Sequence, residues 1–303
     1  SFPTRRSSDL LGEIAALATA LCWTITAVTF ETAGKKVGSI SVNLIRLIFA
    51  FVLISIYNLI SRGMILPIDA SNSTWIWLSF SGIIGFVIGD LFLFQAFVEV
   101  GSRISMLIMS TVPPITAITG FILMGERITT LGLAGMIITI VGIALVILTK
   151  NPDDKKVRLS HPIKGLAYAF IGALGQAFGL VFSKFGMGSY DPFAATQIRI
   201  IAAIIGFSIV ITISKKWRKV FVAFKDMNAM KYISIGSLFG PFIGVSLSLL
   251  AVQNASTGIV STITSITPIL LIPVSIILFK EKVFPKEIFG AIITLFGITL
   301  LFI

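Results

Sequence analysis

Hydrophobic residues run through this chain in blocks of about twenty, broken by short polar stretches, with neither the alternation of a half-exposed strand nor a long amphipathic period. About 20 apolar residues are needed to cross a ~30 Å hydrocarbon layer as a helix. Ten blocks reach that length, at 11–30, 40–61, 75–97, 104–124, 130–149, 165–185, 193–214, 231–252, 258–279 and 287–303. Without water to satisfy the backbone, blocks of this kind are helical, since the other spanning solution, a closed barrel, needs alternating polarity. The pattern predicts an all-α integral membrane protein with ten transmembrane helices.

The blocks also repeat. Gly12 to Arg46 aligns without a gap onto Gly165 to Arg199 at an offset of 153, through Ala16/Ala169, Ala20/Ala173 and Ile45/Ile198. After a slip of two residues the offset is 155, pairing Gly85/Gly240, Gly89/Gly244, Ser110/Ser265, Pro113/Pro268, Glu126/Glu281 and Gly142/Gly297. Each copy holds five blocks, and an odd number of crossings inverts the second copy relative to the first. Two inverted five-helix repeats are expected, at 11–149 and 165–303, joined by a polar linker at 150–164 with two prolines. Residues 1–10, SFPTRRSSDL, resemble the translated end of a short-read sequencing adapter. They are expected to be non-native and carry no weight in the topology.

Composition narrows the chemistry. Of 303 residues 56% are hydrophobic and 12% charged, which leaves no material for a soluble domain. The single cysteine, Cys22, and the single histidine, His161, argue against a disulfide framework, a cysteine–histidine metal site or a histidine-based triad. No phosphate loop is present, so direct drive by ATP is not expected. No cofactor, metal or nucleic acid is anticipated, and an enzyme is not expected. The net charge of +11 resides in loops. Seventeen basic residues fall in loops on the linker side, among them Lys35, Lys36, Arg103 and Lys150. Three fall on the side of the termini: Arg62, Arg127 and Lys184. The positive-inside rule then places the linker in the cytoplasm and both termini outside.

A few polar residues interrupt the apolar blocks. Asp90 lies ~11 Å deep, too far for its short side chain to reach water. Arg46 lies ~9 Å from the same face and could pair with it. Their repeat mates are Val245 and Arg199, so Arg199 has no symmetric acid. Asp90 is a candidate proton-coupling or solute-binding carboxylate, with a structural ion pair as the alternative. The arginines are candidate anion contacts, with snorkelling to the interface or capping of backbone carbonyls as the plainer expectation. Pro113 and Pro268 break matching blocks, with Ser110, Thr111, Ser265 and Thr267 beside them. Paired interruptions of this kind point to a transport site, and simple kinking is the alternative. Gln176 in an apolar block should face protein, and Trp23 is its repeat mate. Glu126 and Glu281 are read as structural charges at helix ends.

GEIAALATALCW (Gly12–Trp23), NLIRLIFA (Asn43–Ala50), GFVIGDLFLFQA (Gly85–Ala96), PPITAITGFILMGERIT (Pro113–Thr129) and TPILLIPVSIILFKEKV (Thr267–Val283) together resemble the EamA-type permeases of the drug/metabolite transporter superfamily. The resemblance implies two inverted bundles around a central cavity, export of small metabolites or drugs, and a cavity-facing Trp23. It also implies cytoplasmic termini, against the charge count, and in this chain the Gly-Glu-Arg of the first copy becomes Lys280-Glu281-Lys282. The expected function is a secondary transporter in the cytoplasmic (inner) membrane, acting as monomer or homodimer, by proton coupling or exchange. An intramembrane lipid-modifying enzyme and a non-transporting scaffold are the alternatives.

The charge count yields a direct expectation. In a Cys22→Ser background, an impermeant thiol reagent applied to intact cells should label Ile303→Cys and spare Lys156→Cys. Labelling of Lys156→Cys would reverse the orientation.

Overall fold

A computed structural model describes residues 7–124, 129–150, 157–159, 161–255, 257–281 and 283–301. Among the described residues the regular structure is helical apart from a two-stranded antiparallel ribbon, β1 (Leu148–Lys150) against β2 (Val157–Leu159). Eight helical runs among the described residues are long and apolar enough to cross a membrane. The run at Asn72–Met109 spans 38 residues and covers one expected block and the start of the next. The other departures from ten are two short helices, α5 (Val112–Met124) and α14 (Pro285–Leu301).

In the first half, α1 (Ser7–Val37) and α2 (Ser39–Arg62) meet at Gly38, whose φ of 83° ends one helix and starts the next. α3 (Asn72–Gly82) is capped by the Ser71 hydroxyl, which accepts from Thr74 N at 3.1 Å. It runs through a π-helical turn, Ile83–Gly89, into α4 (Asp90–Met109). Inside α4, Gly101 has φ 81° and ψ 161°, so the helix bends there. α5 follows a break at Ser110–Thr111, and α6 (Thr130–Ile147) completes the half.

The second half repeats the plan with α7 (Ile163–Met187) and α8 (Pro192–Ile213). The basic loop after α8 contains a short helix, α9 (Trp217–Ala223), with Phe221 and Val222 exposed. α10 (Met227–Ser237) passes through a second π-helical turn, Leu238–Gly244, into α11 (Val245–Asn254). α12 (Thr257–Thr264) breaks at Ser265–Ile266 before α13 (Thr267–Phe279), and α14 follows. The π turns sit at the 155-residue offset. At the end of α13 Lys280 takes the left-handed conformation, at φ 53°, and its repeat mate Gly125 lies outside the described residues. Glu126 lies outside the described residues.

Packing obeys the repeat. α1 lies against α10, the second π turn and α11; α7 lies against α3, the first π turn and α4. α2 packs on α8 and α6 on α14. Exchanging the halves interchanges the α1 and α7 contacts and returns the α2–α8 and α6–α14 pairs to themselves. The π turns bring glycines to close crossings: a Cβ on Gly175 would stand 2.5 Å from Gly89 Cα. Small residues at such crossings let backbones meet in lipid, where helix association relies on close packing. Apolar side chains such as Ile60, Ile213 and Ile277 point outward, as a lipid-facing surface requires.

Gly175→Val places a branched side chain where backbone already stands, and overpacking typically costs ~1–3 kcal/mol. The purified variant should melt several degrees lower and elute less homogeneously than the parent. An unchanged melting profile would mean that this crossing is not close-packed.

Candidate functional site

Between the halves lies a cavity of about 160 Å³. Its walls are largely apolar, from Phe86, Leu93, Phe94 and Phe97 on the first-half side and Leu180, Val245 and Val252 on the other. Asp90 is the only acid among its lining residues.

Asp90 follows the first π turn directly, which sets its carboxylate toward α2 and α7. Oδ2 forms an ion pair with Arg46 Nη2, and Oδ1 accepts from Gln176 Nε2 at 2.6 Å. Asn43 donates to the Asp90 carbonyl at 3.1 Å and accepts from Arg46 Nε at 3.2 Å. The Arg46 guanidinium also lies 4.5 Å from the Phe94 ring centroid. Asp90 and Arg46 are 4% and 3% exposed, so neither snorkels to an interface. A charge pair this deep is tolerable because each partner is also hydrogen-bonded.

Arg199 stands at the mirror position, 4% exposed and lining the same cavity. Its guanidinium lies over the Phe86 ring at 4.6 Å, while Arg46 approaches that ring at 5.7 Å. Arg199 Nε has no hydrogen-bond partner. The expectation that the two arginines reach an interface is therefore corrected: stacking on Phe86 and Phe94 holds both inward.

Trp23 and Gln176 line the cavity from α1 and α7. Ser110 and Pro113 reach it from one helix break, and Ser265, Thr267 and Pro268 from the other. Thr111 is not among the lining residues; its hydroxyl donates to Ile108 O at 2.8 Å. Two other hydroxyls are partly spent on their own backbone: Ser265 donates to Ser261 O at 2.6 Å, and Thr267 to Thr264 O at 2.7 Å. The latter covers the carbonyl that Pro268 leaves without an amide partner.

Sequence reasoning did not anticipate a polar cluster on the face of the basic loops. Glu31 is fully buried, accepts from Ser102 N at 2.6 Å and pairs with Lys35 at 2.5 Å. Arg103, just past the Gly101 bend, pairs with Glu281 at 2.9 Å and Glu287 at 3.0 Å. Glu281 thus has the structural tie expected of it. Nearby His161 is held below its usual pKa by burial and by the Arg103 charge. The cluster's signal in the sequence was an acid, Glu31, six residues before the end of α1. On the opposite face, Tyr190 donates to Asp69 at 2.8 Å, and Arg62 pairs with Asp69 at 2.5 Å. Burial and that donated hydrogen bond push the Tyr190 hydroxyl up to about 12.

The profile of the EamA-like transporter family matches residues 10–148 and again 163–303. The chain belongs to the EamA-like transporter family. The two matches fall on the two halves seen in the packing. A solved crystal structure superimposes with a TM-score of 0.64 at 14% identity, over 98% of this chain and 96% of that one, which shows a shared fold. No curated protein matches this chain. Membership makes this a multi-pass membrane protein of a transporter family.

Breaking the buried pair tests the site. Removing one partner strands a charge, which typically costs ~3–5 kcal/mol. Asp90→Asn and Arg46→Gln should each lower the thermal stability of the purified protein, and the double variant should recover much of the loss. Additive losses would show that the two side chains are not coupled.

Proposed function

We propose that this protein is a secondary active transporter that moves a small organic metabolite or drug out of the cell by alternating access across the cytoplasmic membrane. In this reading the chain crosses ten times as two inverted five-helix repeats. The run at Asn72–Met109 bends at Gly101, near the membrane face, and its remainder joins α5 as the fourth span. α12 and α13 form the ninth, and α14 the tenth.

The observation that carries this reading is that matching residues of both halves line one cavity. Arg46 and Arg199, Trp23 and Gln176, Asp90 and Val245, Ser110 and Ser265, Pro113 and Pro268 all contribute. A site on the axis between inverted repeats can be presented to either face by rocking one half against the other. The duplicated breaks beside Pro113 and Pro268 supply places for that movement. The π turns add further points at which a helix can adjust its register.

Coupling to protons or to exchange turns on Asp90. Its two oxygens are occupied by Arg46 and Gln176, so taking up a proton requires that pair to loosen during the cycle. Exchange needs no such step. The basic loops favour the linker face as cytoplasmic.

Purified protein in sealed vesicles, loaded with one member of a metabolite and antibiotic panel, should exchange it against an outward gradient. Pro268→Ala restores a backbone hydrogen bond in α13 and should slow that exchange severalfold while folded yield stays near the parent's. A collapsed yield with normal transport by the surviving protein would make the proline structural. No exchange with any panel member, by well-folded protein, would sink the transporter reading.

A further inference from the structure

The two halves of the cavity differ in charge: of three matched positions, one keeps its arginine and the other two differ. In one half Arg46 is answered by Asp90, and Asp90 by Gln176. In the other, Arg199 stands where Arg46 does, but the acid position is Val245 and the amide position is Trp23. No ion pair joins Arg199 to an acid among the described residues, and its Nε is unpartnered although the side chain is 4% exposed. Gly85 has no side chain to obstruct the guanidinium: a Cβ there would stand 3.2 Å from Arg199 Nη2.

Asp90, committed to Arg46, acts on Arg199 only through space, and a desolvated guanidinium without a hydrogen-bonded counter-ion of its own is costly, more so where lipid surrounds the bundle. Stacking on Phe86 offsets part of that cost but leaves the in-plane N–H donors unused. Those donors suit a carboxylate, which can take two parallel hydrogen bonds from one guanidinium. Val245 and Trp23, lining the same cavity, offer apolar and aromatic surface for whatever the carboxylate is attached to.

We propose that the Arg199 half of the cavity binds the carboxylate of a small organic anion with an apolar body, the anion filling the place that Asp90 fills in the other half. This rests on the transporter reading of the same cavity and names its substrate class. The bound anion neutralises Arg199, so the loaded site has both arginines paired and the empty site only one. Neutral or cationic analogues leave Arg199 uncompensated and bind weakly.

The test is equilibrium binding to purified protein in nanodiscs, using phenylacetate, phenylacetamide and phenethylamine, with palmitate as the lipid-derived carboxylate. Empty nanodiscs give the background. Phenylacetate should bind about tenfold or more tightly than the amide or the amine, as loss of a charge-assisted hydrogen-bonded pair predicts. Arg199→Gln should abolish that preference, and Arg199→Lys should keep part of it.

Val245→Asp is the decisive variant. It supplies the missing acid, so it should fold with a melting temperature at or above the parent's and lose phenylacetate binding. Equal binding of all three probes, or a carboxylate preference that survives in Arg199→Gln or Val245→Asp, overturns the proposal. Absence of phenylacetate binding also overturns it, as does binding of palmitate alone, which would make the site a lipid site. Vesicle exchange of an amine or a neutral solute, without any carboxylate, would overturn this inference while leaving the transporter reading intact.

Discussion

Hydrocarbon offers neither donor nor acceptor, so each polar group carried into the bundle must find its partner within the protein. Threonine and serine hydroxyls along these helices largely meet that demand by bonding to carbonyls one turn back, as Thr19 does with Ala15 and Thr139 with Gly135. Charged groups cannot be satisfied so locally. Arg46 draws Asp90 from another helix, Asp90 draws Gln176 from the other half, and Asn43 closes the set. Four side chains on three spans are thereby fixed relative to one another, and three of them, Arg46, Asp90 and Gln176, line the cavity. Polar economy in lipid and construction of the site are the same event here.

The approach of the helices is the second requirement, because the partners of Asp90 can reach it only if α7 comes close to the π turn. Gly85 and Gly89 face Gly179 and Gly175 across that crossing. The symmetric crossing is built differently: Gly240 meets Thr26, and Gly244 meets Cys22 and Trp23. One crossing is therefore glycine on glycine, and the other glycine on larger side chains. The equal placement of the π turns keeps the two halves similar in backbone while their crossings differ in depth of contact.

Much of this was legible in the sequence because repeat offsets convert into depth. The shared depth of Arg46 and Asp90, the missing acid opposite Arg199 and the duplicated proline breaks all follow from register arithmetic and reappear as neighbours around one cavity. What escaped was rotation about each helix axis, which depth does not encode. Thr111 sits beside Ser110 yet does not line the cavity, and both arginines turn inward where snorkelling was the simpler expectation. The π turns escaped because nothing in the run of glycines distinguishes a wider turn from close packing. The bend at Gly101 escaped because it occurs between two apolar blocks, where the pattern suggests a loop and the chain instead remains nearly continuous helix.

The polar clusters at the two faces show where the symmetry is abandoned. On the basic-loop face Arg103 ties α4 to Glu281 and to Glu287 of α14 by ion pairs, and the fully buried Glu31, paired with Lys35 within α1, ties α1 to α4 by accepting from Ser102 N. The repeat mates of Glu31 and Arg103 are Lys184 and Gly258, so the same contacts cannot form on the other face. Among the contacts of that face are those of Arg62, Asp69 and Tyr190, with the Asp69 side chain 38% exposed. Exposed pairs are worth little and are screened by salt, whereas a buried carboxylate must keep its partners or neutralise. The two ends of the cavity are therefore held by contacts of unequal kind. Under the alternating access proposed above, that inequality would make one of the two conformations the more populated at rest.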